Sequence, residues 1–384
     1  MAVKILVLGA GRMGFGTVFD LARCRHVEAV TVADIDIGRA EAVRRKIGAG
    51  KVSAVQLDVA DSSRTVELMR EHHSVVSCVV YHHNLQLAKA AIQARSNFCD
   101  LGGNNTVVDA ELALNAEAAR AGVNIIPDCG LAPGMVCILA AHGIARFEQP
   151  EELHIRVGGL PQNPKPPLDY QIVFSVEGLI NEYVEPARVL RQGSIVEIES
   201  MTEIEELRFP APFQKMEAFQ TSGGTSTLPE TYLGRLRALD YKTIRYPGHC
   251  EKFKLLIDLG LAGSGERMIG GVRLVPRRLL GELLLSKLPA DEPDVVLIRL
   301  EFTGMKDGRR GTLRYDIIDW FDEKTGLSAM MRTTAFPASI IAQMMAAGET
   351  LEKGAKSQER CVPAERFVRE LEKRGIRIEE TWES

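Results

Sequence analysis

The chain has 384 residues, of which 45% are hydrophobic and 26% are charged, and its 47 basic and 51 acidic side chains give a formal net charge of −4 at pH 7. This length predicts two packed domains, and the near balance of charge gives no indication of a nucleic acid or a membrane as a partner. Seven scattered cysteines without a C-x-x-C pair favour neither a disulfide framework nor a zinc site. Because the N-terminus lacks a basic leader and no apolar stretch approaches the ~18 residues of a membrane span, we expect a cytoplasmic protein.

The first third of the sequence alternates short apolar runs with stretches of helical periodicity. Six runs are predicted as strands: residues 3–8, 29–34, 52–57, 75–80, 97–101 and 123–127. Between them, residues 85–94 and 107–121 place apolar side chains three and four positions apart, as amphipathic helices do. This strict alternation predicts an α/β domain of the Rossmann type, built on a doubly wound parallel sheet.

The loop after the first predicted strand indicates a dinucleotide site. It reads G-x-G-x-x-G and consists of Gly9, Ala10, Gly11, Arg12, Met13 and Gly14. In this setting the glycines permit a sharp turn, a close approach of the backbone to a pyrophosphate, and tight packing of the helix on the sheet. The N–H groups that begin the helix would then face the phosphates.

Further cofactor candidates follow the next strands. Asp34 ends the second strand, and a carboxylate there accepts the adenosine ribose hydroxyls but repels a 2′-phosphate, so we expect NAD rather than NADP. Asp58, with Val59 beside it, follows the third strand and is placed either to contact the adenine or to cap a helix. Tyr81 and His82 follow the fourth strand and are candidates for the ribose or the nicotinamide.

Beyond residue 145 the pattern changes to longer β-like runs after a proline-rich stretch. Strands are predicted at 170–176, 193–200, 294–305 and 312–322, and helices at 229–239, 249–259 and 276–288. These elements predict a second α+β domain with a mixed or antiparallel sheet, while two last helices at 335–348 and 363–375 are expected to return to the first domain. The predicted division is residues 1–130 and 335–384 for NAD binding, and 131–334 for substrate binding and oligomerisation.

The apolar content of three segments predicts self-association. The helices near 279–288 and 335–347 and the strands at 294–322 offer more apolar surface than one small domain can bury. We therefore expect a homodimer or a larger homo-oligomer.

Several blocks together carry a family resemblance. They are FCDLGG (98–103), IIPDCGLAPGM (125–135), TSGGTSTLPETY (221–232), DYKTIRYPGHCEKF (240–253) and MMRTTAFPASIIAQM (330–344). With the glycine loop, they resemble the saccharopine dehydrogenase/reductase-like family, and most of all its members that oxidise the 6-amino carbon of L-lysine with NAD. The resemblance implies a product, 2-aminoadipate 6-semialdehyde, that cyclises to a piperideine carboxylate. One departure is Ala132-Pro133-Gly134, where saccharopine-handling relatives commonly have Asp-Pro-Gly.

The segment after the sixth predicted strand places an acid and a thiol at the edge of the sheet where ligands bind. Asp128 is interpreted either as the carboxylate that holds the cationic amino group of the substrate or as a turn or helix cap. Cys129 is expected to line the pocket, because hydride transfer needs no nucleophile.

Lysine oxidation also requires a proton acceptor and a group for the α-carboxylate. His249, next to a Gly-Pro turn, is the predicted general base, with a capping or core histidine as the alternative. Arg245, four residues earlier, suits a bidentate carboxylate contact. Tyr246, Thr221 and Ser222 would complete the polar wall of the substrate site.

Two other functions remain open. One is an oxidoreductase that makes or splits a secondary amine such as saccharopine or a carboxy-polyamine, and the other is an NAD-sensing regulatory protein. No metal is expected, since no carboxylate or cysteine stands at metal-ligand spacing beside the histidine pairs at 72–73 and 82–83.

Overall fold

A computed structural model describes residues 3–383, and the chain within it divides into two compact units. The first unit runs to Ala145 and takes in Met331–Arg377. The second comprises Arg146–Met330 and the residues from Ile378 onward. The chain therefore passes from the first unit to the second and back, and its last residues belong to the second.

The elements up to residue 145 alternate strand and helix. In chain order they are β1 (Val3–Leu8), α1 (Arg12–Arg23), β2 (Val27–Asp34), α2 (Ile37–Ile47), β3 (Val52–Gln56), α3 (Ser62–Arg70), β4 (Ser74–Ser77), a 3₁₀ turn (Tyr81–His83), α4 (Asn84–Ala94), β5 (Asn97–Asp100), α5 (Asn105–Leu112), α6 (Asn115–Ala121), β6 (Asn124–Ile126) and α7 (Met135–Ile144). Side chains cap the N-termini of three helices. Asp36, Asp61 and Asn104 each accept a hydrogen bond from a backbone N–H in the first turn of α2, α3 and α5, respectively.

Strands dominate the middle of the chain. The elements are β7 (Gln149–Pro161), α8 (Val176–Val184), β8 (Ala187–Arg191), β9 (Ser194–Ile198), β10 (Glu205–Arg208), β11 (Lys215–Gln220), α9 (Leu228–Tyr232), β12 (Ala238–Arg245), α10 (His249–Asp258), β13 (Arg267–Ile269), β14 (Val272–Leu274), α11 (Pro276–Lys287), β15 (Asp294–Lys306) and β16 (Arg309–Trp320). The remaining elements are α12 (Ala329–Ala347), β17 (Gly354–Ala355), α13 (Gln358–Cys361), α14 (Ala364–Lys373) and β18 (Glu379–Glu383).

The first unit has a parallel sheet of the order β17-β6-β5-β4-β1-β2-β3. Every neighbouring pair in it is parallel, which confirms the predicted doubly wound sheet. Strands β1 to β6 follow the order of dinucleotide-binding folds, and the carboxyl ends of parallel strands meet at one edge. The glycine loop, Asp34, Asp100 and Asp128 therefore all lie at that edge, where β1, β2, β5 and β6 end.

The second unit has a mixed sheet of the order β10-β11-β12-β7-β15-β16-β18, with β8 pairing with β12 and β9. Strands β12 and β7 are parallel, and the other neighbours are antiparallel, in agreement with the predicted second domain. One face of this sheet packs a hydrophobic cluster around Leu160, Met216, Ile244 and Leu297. Because side chains alternate along a strand, Thr243 and Arg245 of β12 lie on the face opposite to Ile244.

Several details of the second unit differ from the predictions. Residues 170–176 form no strand: they run without regular structure into α8, whose first turn is capped by Ser175. The helix predicted at 229–239 is limited to α9, because the following residues enter strand β12. Strands β7 and β12 were not predicted, since glycines and prolines at the end of β7 indicated an interruption and the residues of β12 mix charged and apolar side chains.

Helix α12, from Met331 onward, belongs to the first unit, and it begins at Ala329, earlier than the predicted residue 335. It packs closely there: a β-carbon at Gly16 of α1 would lie 2.9 Å from Ala335, and the thiol of Cys99 in β5 lies 3.9 Å from the carbonyl of Ala338. Its apolar side chains are therefore buried, so this helix does not supply the free surface on which oligomerisation was predicted. Helix α11 leaves Leu279, Leu283 and Leu285 exposed, and the homo-oligomer stays a prediction. None of the helices formed by residues 3–383 is both long and apolar enough to cross a bilayer.

Candidate active site

The glycine loop of the first unit has the geometry of a phosphate cradle. Gly9 has φ +96°, and a β-carbon at Gly14 would lie 1.9 Å from the carbonyl oxygen of Gly9. A β-carbon at Gly11, in contrast, would meet no atom within 4 Å, so open space lies in front of this residue. Helix α1 begins at Arg12 and no side chain caps it. The N–H groups at its start are thus available to a pyrophosphate.

Asp34 is held against this loop by two backbone hydrogen bonds. Its Oδ2 accepts from the N–H of Ala10 at 2.7 Å, and its Oδ1 accepts from the N–H of Asp36 at 2.9 Å. The carboxylate is therefore fixed at the end of β2 beside the phosphate loop. In dinucleotide-binding folds, an acid at this position binds the adenosine ribose.

The other cofactor candidates also follow strands of the parallel sheet. Asp58 comes after β3, and its Oδ1 accepts from the N–H of Ala60 at 2.9 Å; Asp61, and not Asp58, caps helix α3. Val59 is partly buried beside it. Tyr81 packs over Gly103, whose β-carbon would lie 3.2 Å from the tyrosine ring, and His82 is exposed.

The Asp128 turn is built around Asp100 of β5. Asp128 has φ +58°, and its N–H donates to Oδ1 of Asp100 at 3.3 Å, while the N–H of Gly102 donates to the same oxygen at 2.6 Å. The N–H of Cys129 donates to the carbonyl of Asp100 at 2.7 Å. A β-carbon at Gly102 would lie 1.8 Å from Oδ1 of Asp128, so only glycine allows this approach.

A third acid completes this cluster. Glu111 of α5 is fully buried, and burial together with the charges of Asp100 and Asp128 raises its pKa to about 10. Burial also raises the pKa of Asp100 to about 6, against hydrogen bonds from the N–H groups of Gly102 and Asp128. Glu111 is therefore protonated at neutral pH.

Cys129 lies in the same turn but is not reactive. Its thiol is buried within 3.2 Å of the carbonyl oxygen of Ile126, and burial raises its pKa well above the ordinary value. A thiol with a raised pKa holds its proton and makes a poor nucleophile, so Cys129 is present only as a small buried side chain.

The second unit brings Arg245 and His249 together through a tyrosine. Nε of Arg245 donates to the hydroxyl of Tyr183 at 2.9 Å, and that hydroxyl lies 3.1 Å from Nε2 of His249. Nδ1 of His249 lies 2.9 Å from the carbonyl oxygen of Leu168, which only accepts. The neutral ring therefore carries its proton on Nδ1, and Nε2 accepts from Tyr183.

Burial keeps this imidazole neutral. Desolvation, helped by the charge of Arg245, lowers the pKa of His249 to about 3. The ring is stacked against Phe219 and Phe253, with centroids 6.3 and 5.8 Å away. Burial and its neighbours likewise raise the pKa of the Tyr183 phenol. Arg245 is the charged member of the group.

Arg245 retains unused hydrogen-bond donors. Besides the bond to Tyr183, its Nη1 donates to the carbonyl of Ile244 at 2.9 Å, and its guanidinium carbon lies 4.8 Å from the ring centre of Tyr170. Within residues 3–383 no acceptor is placed on Nη2. Burial disfavours the charge, but nearby Tyr183, Tyr170 and Glu182 outweigh it and raise the pKa of Arg245.

The other predicted substrate residues are divided between two places. Thr221 bonds to Thr243 through their hydroxyls at 2.7 Å, on the same face as Arg245. The N–H of Ser222 donates to the carbonyl of Glu182 at 3.0 Å, so this loop is fastened to α8. Tyr246 instead donates to the carbonyl of Pro161 at 2.8 Å and packs on the hydrophobic cluster of the opposite face. Strand alternation thus separates Tyr246 from Arg245.

Sequence reasoning missed Tyr183, Tyr170, Glu182, Asp100 and Glu111. Asp100 lies in one of the blocks that carried the resemblance, and its place at the end of a predicted strand was the available signal. Tyr183, Tyr170 and Glu182 lie more than sixty residues from Arg245, and Glu111 lies in a helix whose composition is ordinary.

Two family models match the chain. The saccharopine dehydrogenase NADP binding domain matches residues 5–126, and the saccharopine dehydrogenase C-terminal domain matches residues 130–376. The fold is shared with the apo saccharopine dehydrogenase (L-Glu forming) of Saccharomyces cerevisiae, with a TM-score of 0.83 and 20% identity over 100% of both chains.

Curated relatives are more distant in sequence. Saccharopine dehydrogenase [NADP(+), L-glutamate-forming] of Schizosaccharomyces pombe is 27% identical over 272 residues, or 67% of this chain and 58% of that protein. The mitochondrial alpha-aminoadipic semialdehyde synthase of Mus musculus is 22% identical, and the chain spans 45% of its length. Carboxyaminopropylagmatine dehydrogenase of Synechocystis sp. is 21% identical over 97% of this chain and 96% of that protein. The two family matches, which together run from residue 5 to residue 376, confirm the resemblance, and the chain belongs to the saccharopine dehydrogenase family of oxidoreductases.

Proposed function

We propose that this protein oxidises L-lysine at its 6-amino carbon with NAD, giving 2-aminoadipate 6-semialdehyde. The observation that carries the proposal is Arg245, a buried guanidinium with unused donors, held in place by Tyr183. Such a group fits the α-carboxylate of an amino acid and has no counterpart to bind in a simple diamine.

The first unit would bind the cofactor. The residues that would hold it are Gly11 and the start of α1 for the pyrophosphate and Asp34 for the ribose, with Asp58, Val59, Tyr81 and His82 near the remaining groups. Asp34 supports NAD over NADP, because its carboxylate would repel a 2′-phosphate. When bound, the nicotinamide would accept a hydride from the substrate.

The balanced reaction consumes water and releases ammonium. The 6-ammonium group loses a proton, C6 loses a hydride to form an imine, and water adds to C6 before ammonia leaves. Lysine, NAD⁺ and water thus give the semialdehyde, NADH, NH₄⁺ and a proton. Asp128, which the sequence predicted as the partner of the substrate amine, would hold the cation and accept its proton.

His249 takes a different role from the one predicted from the sequence. Both ring nitrogens are engaged, by Tyr183 and by the carbonyl of Leu168, and its pKa of about 3 makes it a weak base at neutral pH. We therefore assign His249 to orienting Tyr183, and through it Arg245. Thr221 and Ser222 support the same face, and Cys129 fills space in the Asp128 turn.

A second candidate is a dehydrogenase of a secondary amine. The observation that favours it is the carboxyaminopropylagmatine dehydrogenase, which matches this chain over nearly the full length of both proteins. The S. pombe relative is named a saccharopine dehydrogenase that forms L-glutamate. Ala132, where saccharopine-handling relatives commonly have an aspartate, supports lysine instead.

A substrate panel tests these alternatives. Purified protein is assayed for formation of NADH or NADPH with L-lysine, L-ornithine, saccharopine and 1,5-diaminopentane. We expect the highest kcat/KM with L-lysine and NAD, and release of one ammonium per NADH. Turnover of saccharopine alone would replace the proposal with its second candidate. Cofactor binding without turnover of any amine would favour the NAD-sensing role.

A further inference from the structure

Glu182 of α8 carries an unused carboxylate in the second unit. It is partly exposed, and none of the described residues donates a hydrogen bond to its side chain or forms an ion pair with it. Its backbone is fixed on both sides: its carbonyl accepts from the N–H of Ser222 at 3.0 Å, and the next residue, Tyr183, bonds to Arg245. The backbone of Glu182 is therefore fixed next to the tyrosine that holds Arg245.

The carboxylate of Glu182 and the guanidinium of Arg245 are neighbours without being partners. Each charge shifts the pKa of the other, yet no direct ion pair joins them. Burial raises the pKa of Glu182 to about 7, and Arg245 opposes that rise. A carboxylate that served only to neutralise Arg245 would be stabilised most by a bidentate contact with the guanidinium. Glu182 makes no such contact.

Both groups also keep access to a ligand. Nη2 of Arg245 makes no hydrogen bond within the described residues, and neither it nor the carboxylate oxygens of Glu182 are among the fully enclosed polar atoms without a partner. Donors on Arg245 and acceptors on Glu182, close enough that each charge shifts the pKa of the other, match a group that carries a carboxylate next to an ammonium.

We propose that Arg245 and Glu182 together bind the zwitterionic head group of an α-amino acid, with Arg245 on the α-carboxylate and Glu182 on the α-ammonium. This deepens the proposed function, on which it rests for the role of Arg245. Glu182 is then a specificity residue. A ligand that has only a carboxylate gives Glu182 no partner, and a ligand that has only an amine gives Arg245 no partner.

Unreactive ligands test the head group separately from the reaction. L-norleucine has both charges, hexanoate has the carboxylate only and 2-aminohexane has the amine only, and none of them has an amino group on a terminal CH2. Dissociation constants are measured by calorimetry at pH 8 on the full chain with NAD present, for wild type, E182Q and R245Q. The matched control is E177Q, the same substitution at an exposed glutamate of the same helix.

We expect wild type and E177Q to bind norleucine at least about tenfold more tightly than hexanoate. E182Q should weaken norleucine by about tenfold and leave hexanoate unchanged, so that the preference disappears, whereas R245Q should weaken both carboxylates. Thermal unfolding of each variant checks that it is folded, and E182D provides a second variant should E182Q unfold. An equal loss of both ligands in E182Q, or no loss of either, would overturn the proposal.

The reaction itself is scored separately on L-lysine. If wild type discriminates norleucine from hexanoate through Glu182 but does not oxidise lysine, the head-group assignment stands and the proposed reaction falls. If lysine is oxidised and E182Q keeps the wild-type preference for norleucine, the reaction stands and the role of Glu182 falls.

Discussion

Two buried polar clusters, one in each unit, deal with desolvation in opposite ways. In the cluster of Asp100, Glu111 and Asp128, three acids are close together, and the raised pKa of Glu111 shows that the group retains a proton. In the cluster of Arg245, Tyr183 and His249, one permanent cation is surrounded by neutral groups that are bonded in a fixed direction. The first cluster therefore responds to pH near neutrality, while the second keeps its charge state.

The difference teaches how each cluster can serve an oxidation that releases protons. A set of acids with pKa values of about 6 and about 10 can take up or lose a proton at the pH of the cell. Arg245 is held by the phenol of Tyr183, which in turn contacts the imidazole of His249. The guanidinium stays charged, so it can bind a ligand but cannot exchange a proton with it. On this comparison, we propose that proton transfer belongs with the Asp128 turn and substrate binding with Arg245.

The largest expected effect comes from removing the fixed cation. R245Q should lower kcat/KM for L-lysine by roughly thirtyfold or more, because a charge-assisted contact with the α-carboxylate is lost. The same variant should change kcat/KM for 1,5-diaminopentane only slightly, since that substrate has no carboxylate. R235Q, at an exposed arginine, serves as control. Equal losses on both substrates would show that Arg245 only supports the fold.

Replacing Asp34 should alter the cofactor preference. D34S removes the carboxylate that we propose to face the ribose, and we expect NAD to bind about tenfold more weakly and the difference in affinity between NAD and NADP to narrow. Fluorescence titration with NADH and NADPH measures both constants, with D58N for comparison. A wild type that already prefers NADPH would contradict the interpretation of Asp34.

His249 allows a sharper test of the comparison. H249Q keeps an acceptor for Tyr183 but cannot act as an imidazole base, and we expect a rise of about fivefold in KM for lysine with an unchanged shape of the pH–kcat profile. The reason is that His249, with its pKa of about 3, is neutral throughout the working range. Loss of the acidic limb in H249Q would restore the base role predicted from the sequence.

The last expected effect is on the pH dependence of stability in the acid cluster and not on activity. Glu111 has a pKa raised above its unfolded value, so folding retains a proton that the unfolded chain releases. Its presence therefore lowers the stability of wild type as pH rises from about 4.5 towards 10, by at most about 1.4 kcal/mol per pH unit. E111Q removes this dependence, and its melting temperature should exceed that of wild type at pH 8 and approach it at pH 5.

E117Q, at an exposed glutamate of the neighbouring helix α6, is the matched control for this measurement. Its melting temperature should follow that of wild type at every pH. An E111Q protein that is less stable than wild type at pH 8 would mean that Glu111 is ionised and paired in the folded protein.

The parallel sheet could be predicted because its strands and helices differ in periodicity and the glycine loop marks the end of the first strand. The mixed sheet was predicted in part, at 193–200, 294–305 and 312–322, and not at β12, which carries Asp240, Lys242 and Arg245. There, tertiary contacts and not local preference make the strand.

The site divides in the same way. Arg245 and His249 could be singled out because they share one distinctive block, and the structure connects them. Tyr183 and Glu182 could not, because nothing local distinguishes them and their roles depend on contacts with residues about sixty positions later. Glu111 was missed because an acid in an ordinary helix looks solvated until its burial is known.

The split of the first unit along the chain has a consequence for synthesis on the ribosome. Helix α12, which covers Gly16 and Cys99, and strand β17, which pairs with β6, are translated only after the roughly 185 residues of Arg146–Met330. At about 5–20 residues per second, the first part of the dinucleotide fold lacks α12 and β17 for on the order of 10–40 s after it is synthesised. The surface that these two elements cover is exposed during that time. Chaperones that recognise apolar surface would have their longest access to the protein during this interval.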